Sequence, residues 1–261
     1  MTIDHSAQTT LITGASAGIG VEFARELARR GSDLVLVARR KERLDTLAAE
    51  LEAAHGIAAT VVPLDLSLPG AGAAILAETQ RQGITITSVI NNAGFGLQGP
   101  FHEDDAARLA DEIMVNISSL VDISRTFIEP LREAETGYLV NIASLAAYFP
   151  SPRMAVYAAT KAFVLSFTEA LWFESRDSGL RVLCVSPGAT QTEFFDVAGP
   201  AAASGATLQP PAGVVRTALK ALDARRSVPS VAVGRGNALA AAAIRLFTRR
   251  QTVLVAGRIT S

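Results

Sequence analysis

One cysteine, Cys184, and three histidines, His5, His55 and His102, are all that this chain of 261 residues offers to thiol and imidazole chemistry. A single thiol excludes an internal disulfide, and histidines so scattered lack zinc-ligand spacing, so no metal site is expected. There is no Gly-x-Ser-x-Gly elbow and no histidine in a strand-end segment beside a candidate serine, which sets serine hydrolysis aside. Charge of one sign is not in excess either. Lys plus Arg number 24 against 25 Asp plus Glu, a net charge of -1, so no overall field favours nucleic acid or an acidic membrane. The polar start from Met1 to Gln8 contains no apolar h-region, so no leader is expected. The longest alanine-rich run, Ala238 to Leu246, is far short of the roughly 20 apolar residues of a membrane span. A reducing, cytoplasmic setting and a small-molecule partner are expected.

What is present is a 49% hydrophobic composition, enough to fill one sizeable core, with no linker to divide residues 1–261 into two domains. Thr9 to Thr13 reads as a strand, followed at once by Gly14-Ala15-Ser16-Ala17-Gly18-Ile19-Gly20 and a helical pattern to Arg30. Glycines between strand and helix let the backbone approach a pyrophosphate at the helix N-terminus, although a tight turn alone also needs them. The spacing, Gly-x3-Gly-x-Gly, departs from the commonest dinucleotide fingerprint. A second strand, Leu34 to Ala38, ends in Arg39-Arg40-Lys41. Many NAD sites place an acid here to bond the adenosine ribose. Arg39 together with the Ser16 hydroxyl suits a 2'-phosphate instead and favours NADP; a solvated helix start paired with Glu42 and Asp45 is the plain alternative.

The alternation continues with a helix to about His55, a strand at Ala58 to Pro63 leading into Asp65-Leu66, a helix at Ala71 to Arg81, a strand at Ile86 to Ile90, and Asn91-Asn92-Ala93-Gly94. Strands separated by helices predict a parallel sheet with right-handed crossovers, whose ligands bind at the strands' carboxyl ends. One long helix is expected from about Glu103 to Glu133, carrying Asn116, a poor helix-interior residue that calls for a reason. The strand Tyr138 to Ala143 delivers Ser144. Tyr157 and Lys161 follow, one helical turn apart in an apolar stretch running to about Ser178. A cation beside a phenol favours phenolate and makes a tuned proton donor, whereas an exposed Tyr and Lys on one helix face do nothing of the kind. After a strand at Arg181 to Val185 and the turn Ser186-Pro187-Gly188, residues at about 190–211 read as a substrate lid without strong helical periodicity. A helix at Ala212 to Asp223, a strand at Val228 to Val233 and one amphipathic helix at Asn237 to Arg249 complete the chain.

Taken in order, Thr13-Gly14-x3-Gly18-x-Gly20, Asn91-Asn92-Ala93-Gly94, Asn116, Ser144, Tyr157-x3-Lys161 and Pro187-Gly188 resemble the short-chain dehydrogenase/reductase family in its single-domain form. The resemblance implies an α/β, Rossmann-type doubly wound parallel sheet of about seven strands. It also implies a tetrad: Tyr157 as proton donor, Ser144 orienting the substrate oxygen, Lys161 on the nicotinamide ribose and lowering the tyrosine's pKa, and Asn116 holding a water that links Lys161 to solvent. The cofactor-binding set is then Gly14, Ser16, Gly18, Ile19, Gly20, Arg39, Arg40, Asp65, Leu66, Asn91, Ala93, Gly94, Tyr157, Lys161, Pro187, Gly188 and Thr192. NADP(H) is favoured over NAD(H), and the activity implied is that of an NADPH-dependent carbonyl reductase or alcohol dehydrogenase. Phe95, Leu97, Tyr148, Phe149, Met154, Phe194 and Phe195 would form an apolar substrate pocket. A homodimer or homotetramer through the helices carrying Asn116 and Tyr157 is implied as well. A non-catalytic NADP-binding sensor or scaffold, and a carbonyl-adjacent reaction such as epimerisation, remain the alternatives.

Overall fold

Seven short runs rich in Val, Ile, Leu and Thr form a single parallel sheet: β1 (Thr9–Thr13), β2 (Asp33–Ala38), β3 (Ala59–Pro63), β4 (Ser88–Asn91), β5 (Tyr138–Ile142), β6 (Arg181–Ser186) and β7 (Ser230–Ala232). This computed structural model describes residues 3–260 except 135, 200, 201, 203, 204 and 206. The strand order is β3-β2-β1-β4-β5-β6-β7. β5 is buried from end to end, and β2 and β6 are buried at all but their first residues, as a sheet covered on both faces requires.

Helices α1 (Gly18–Arg29), α2 (Lys41–His55) and, late in the chain, α8 (Pro211–Leu222) cover one face. On α1 the buried stripe Phe23, Ala24, Leu27 and Ala28 recurs at helical spacing and packs with Val214, Val215, Ala218 and Leu219 of α8. The other face is covered by α3 (Ala71–Arg81), α5 (Ser119–Glu133) and α6 (Ala155–Glu174), through Ile75, Phe127 and Leu171 among others. The chain builds β1, β2 and β3 outward, then returns to place β4 on the other side of β1. The loops leaving β1 and β4 therefore diverge and open a crevice at the sheet's carboxyl edge. Buried polar pins fix the frame beneath it. Asn91 Nδ2 donates to Asn141 Oδ1 at 2.9 Å, and Asn141 Nδ2 donates to Thr168 Oγ1 at 2.9 Å, joining β4, β5 and α6.

Three expectations need correction. The long helix expected at 103–133 begins only at Ala106 and runs on to Glu133 as α4 (Ala106–Ile113), a π-helical turn at Met114–Ser118 in which Asn116 is buried, and α5. The wider turn is the reason a poor helix former stands there. The lid segment contains a short helix, α7 (Phe194–Ala198), and its ends are tied together where Gln191 N and Gln209 N donate to Gln209 O and Ala189 O, each at 2.9 Å. Part of the segment lies outside the described residues. The amphipathic helix expected at 237–249 ends early, as α9 (Arg235–Ala243) and a 3-10 turn at Ile244–Leu246, and a further helix that was not expected, α10 (Arg249–Thr260), begins where the expected one stops. Phe247 is extended, and Thr248 and Gln251 exchange hydrogen bonds in a capping box that starts α10 afresh. α10 turns back to put Ala256 on the crevice wall. Among the described residues no helix is long and apolar enough to cross a membrane.

Candidate active site

The crevice is a cleft of about 570 Å³ that runs from the glycine turn after β1 to the N-terminal turn of α6. At its first end Gly14 and Gly18 adopt φ of +67° and +55°, where side chains are strained. A Cβ on Gly20 would collide with the Gly14 carbonyl oxygen, so the turn folds tightly onto α1 and leaves its outer surface to the cleft. Gly20 itself does not line the cleft; it makes the close approach that shapes it. Gly14, Ser16, Gly18 and Ile19 do line it, with Asp65 and Leu66 after β3.

The basic residues are arranged differently from the expectation. Ser16 pairs with Arg40, not Arg39: Arg40 donates to Ser16 Oγ from Nη2 at 3.0 Å and from Nε at 3.2 Å. Arg39 lines the cleft but is exposed. Arg40 Nη1 also reaches Glu193 Oε2 at 2.7 Å, and Arg43 reaches the other Glu193 oxygen at 2.5 Å. These guanidiniums hold the Glu193 carboxyl below the usual carboxylate range. Three consecutive residues thus span the cleft. Thr192 lies against Gly18, Glu193 is held by the arginines, and the Phe194 ring packs 5.2 Å from the ring of Tyr157.

Asn91 is correspondingly displaced from the expected role, since it is buried as a pin between strands, and Asn92 takes the place at the cleft. Asn92 Nδ2 donates to Thr13 O at 2.9 Å, while Thr13 Oγ1 accepts from the backbone N–H groups of Asn92 and Ala93, each at 3.0 Å. Thr13 therefore locks the end of β1 to the turn after β4, a role that the sequence motif did not reveal. Gly94 is equally constrained, because a Cβ there would come within 2.9 Å of Asn116 Oδ1 and 3.1 Å of Lys161 Nζ.

At the other end Ser144, Tyr157 and Lys161 line the cleft together. Ser144 Oγ accepts from Ala146 N–H at 3.2 Å and keeps its own proton to donate towards the Tyr157 phenol or a substrate oxygen. Lys161 is 4% exposed. Its Nζ donates to Ile142 O at 3.0 Å and stands 5.8 Å from the Tyr157 ring centre. Asn116 is fully buried behind Gly94: Nδ2 donates to Phe95 O at 2.8 Å and to Thr160 Oγ1 at 3.1 Å, and Oδ1 accepts from Phe95 N at 3.1 Å. It braces the loop after β4 rather than lining the cleft.

Lys161 is not among the groups that shift the tyrosine in the protein alone. Burial pushes the Tyr157 phenol up to about 12 against the Ser144 hydrogen bond, and burial brings Lys161 down to about 8. A further group affects both. Glu112, on α4, has no exposed surface, and burial raises its carboxyl to about 7. Sequence reading passed over it, since an acid beside Asp111 on a helix looks like a solvated face.

Of the expected pocket residues, Phe95, Phe149, Met154, Phe194 and Phe195 line the cleft, as do Pro187, Gly188 and Thr192 of the expected cofactor set. Leu97 and Tyr148 do not, although both are partly buried nearby. Among the described residues no cluster of His, Cys, Asp and Glu is placed to hold a metal ion.

Comparison with known proteins supplies the remaining findings. The model of the short chain dehydrogenase family matches residues 8–202. A very-long-chain 3-oxoacyl-CoA reductase of Phaeosphaeria nodorum is 31% identical over 196 residues, which cover 74% of this chain and 58% of that protein. The match therefore spans little more than half the length of that relative. A short-chain dehydrogenase from Sphingobium yanoikuyae, solved in complex with NADPH, superposes with a TM-score of 0.79 at 36% identity, covering 92% of this chain and 94% of that one. A structure described for 7beta-hydroxysteroid dehydrogenase stereoselectivity superposes with a TM-score of 0.86 at 25% identity, covering 98% and 99%.

Proposed function

The chain belongs to the short-chain dehydrogenase family of oxidoreductases, and we propose that it is an NADPH-dependent carbonyl reductase, running in reverse as an alcohol dehydrogenase, on a hydrophobic ketone or secondary alcohol. The observation that carries this reading is that one cleft joins the Gly14–Gly20 turn and Arg40 to Ser144, Tyr157 and Lys161. The residues present fit a dinucleotide, because the positive-φ glycines and the crowded Gly94 leave backbone open at the places a pyrophosphate and nicotinamide need. When bound, that group supplies the hydride.

The chain's own residues do the rest. Ser16 and Arg40, with Arg39, hold the 2'-phosphate; Asp65 and Leu66 flank the adenine; Pro187, Gly188 and Thr192 orient the carboxamide. Lys161 keeps donors beyond its bond to Ile142 O for the ribose. Tyr157 donates its proton to the substrate oxygen, on which negative charge grows as hydride arrives at carbon. Ser144 directs a second hydrogen bond to the same atom. Asn116 holds the loop and Thr160 in register, and a water at its side returns protons from solvent through Lys161. Phe95, Phe149, Met154, Phe194 and Phe195 exclude water from an apolar substrate, and residues 190–211 act as its lid. The reductases and dehydrogenases named among its likenesses support this substrate class. Copies pair through the helices carrying Asn116 and Tyr157, where Ile113 and Phe163 are exposed.

The test is loss of NADPH absorbance with a panel of hydrophobic ketones, run beside NADH and beside Tyr157→Phe. Turnover should fall about 10²–10⁴-fold in the variant while NADPH binding stays unchanged. Unchanged turnover would overturn the mechanism, and tight NADPH binding without turnover on any substrate would favour a sensor.

A further inference from the structure

Glu112 is the one acidic side chain among the described residues that is buried, at 0% exposure, and neither of its carboxyl oxygens has a hydrogen-bond partner that satisfies it. A buried carboxyl kept for structure would be paired, because burying it bare is costly and an apolar side chain would pack at no such cost. Its surroundings point to chemistry instead. Glu112 stands one helical turn before Asn116, and the two side chains face alternate residues of one loop segment. Asn116 grips Phe95 through both its N–H and its C=O, whereas the Leu97 N–H faces the Glu112 carboxyl. The residue between them, Gly96, abuts the reaction centre: a Cβ there would come within 2.7 Å of Tyr157 Cδ2. The charged groups facing the carboxyl are Asp104 from the turn before α4, Arg108 one turn earlier on α4, and Lys161 from α6. Both Tyr157 and Lys161 feel its charge in return.

We propose that Glu112 is a positioning residue of the reaction: a titratable charge behind the Phe95–Leu97 segment that keeps Tyr157 in its proton-donating form and Lys161 as an ammonium, biasing the site towards carbonyl reduction. The inference rests on the function proposed above. A carboxylate near a phenol opposes phenolate, and near an amine it favours the cation. Reduction needs the phenol, whose proton passes to the substrate oxygen and is replaced from solvent. Alcohol oxidation needs the phenolate to accept that proton, so the same charge restrains it.

The test follows Tyr157 directly by carbon NMR titration of protein labelled at the tyrosine ring Cζ, the signal of Tyr157 being assigned by its absence in Tyr157→Phe. In Glu112→Gln the Tyr157 midpoint should fall by about half to one pH unit. The rising limb of kcat/KM for alcohol oxidation with NADP should move with it, while Glu112→Asp, which keeps the charge, should leave both in place. An unmoved midpoint in folded Glu112→Gln overturns the inference. Should that variant not fold, wild-type difference infrared spectra decide, since a protonated carboxyl band must disappear near neutral pH and its absence overturns the inference equally. Turnover that survives Tyr157→Phe would instead remove the underlying reading.

Discussion

At the end of the cleft proposed for the adenosine, the side chains of Arg40 and Glu193 are 41% and 43% exposed, whereas at the end proposed for the reaction the whole residues Lys161 and Asn116 are 4% and 0% exposed. Both ends are held by polar contacts, yet the contacts differ in kind. Exposed ion pairs are screened by water and salt and contribute little, so their residues can be exchanged without threatening the fold. Buried polar groups carry large penalties for any missing partner, so each must be satisfied or must serve the chemistry. Under the proposed function, the exposed end can thus change nucleotide preference through single substitutions. Around the tetrad, by contrast, one change disturbs loop, helix and proton donor together.

The largest test of that contrast is the pH dependence of stability. The Glu112 carboxyl ionises near 4.5 when unfolded and at about 7 when folded. Between those values the native state binds a proton that the unfolded state has lost. Its stabilising contribution is therefore complete below about 4.5 and is lost as pH rises to about 7. At about 1.4 kcal/mol per pH unit this amounts to about 3 kcal/mol. Denaturant unfolding of the wild type across this range should show that slope, and Glu112→Gln should remove it. A Glu193→Gln variant, altered at the exposed end, should retain it. If both variants behave alike, the two ends of the cleft do not differ as described.

A smaller effect is expected at Arg40. Charge-assisted hydrogen bonds of its kind are worth about 1.5–3 kcal/mol, so Arg40→Ala should weaken NADPH binding by about 10- to 150-fold. NADH binding and melting temperature should stay near wild type, as calorimetric titration and thermal unfolding would show. Equal losses for both nucleotides would mean that Arg40 supports the glycine turn through Ser16 and does not read a phosphate.

What could be read from the sequence was what neighbouring residues decide. The glycine turn between β1 and α1, and the Tyr157–Lys161 pair on α6, are local patterns whose spacing follows directly from strand and helix geometry. Choices between adjacent residues were not legible in the same way. Asn91 and Asn92 look alike in sequence, but successive strand residues point to opposite sides, so one bonds across the sheet to Asn141 while the other reaches Thr13 at the cleft. Arg39 and Arg40 differ for the same reason, since the end of β2 and the start of α2 together decide which one meets Ser16. The π turn announced itself only through the poor helix propensity of Asn116. Glu112 gave no sign at all, because its burial depends on the loop after β4 folding over α4. The capping box of Thr248 and Gln251, by contrast, is a local pattern that marks the start of α10, where the sequence reading ended its last helix.

The smallest expected effect concerns Glu193. Under the proposed function its carboxyl would compete with a 2'-phosphate for the same guanidinium, that of Arg40, while the flanking Thr192 and Phe194 rest on Gly18 and Tyr157. An exposed pair of this kind is worth up to about 1 kcal/mol, or about fivefold in affinity. Glu193→Gln should therefore tighten NADPH binding by a few-fold at low salt and leave NADH binding unchanged, and the gain should shrink as salt rises. The free nucleotides 2',5'-ADP and 5'-AMP make the sharper comparison, because they differ at the 2'-phosphate and never reach Tyr157. A gain for both would mean that Glu193 acts on the cleft as a whole. A gain for 2',5'-ADP alone would show that the first residues of the lid sense the phosphate, and that the exposed end of the cleft can report cofactor identity to the buried one.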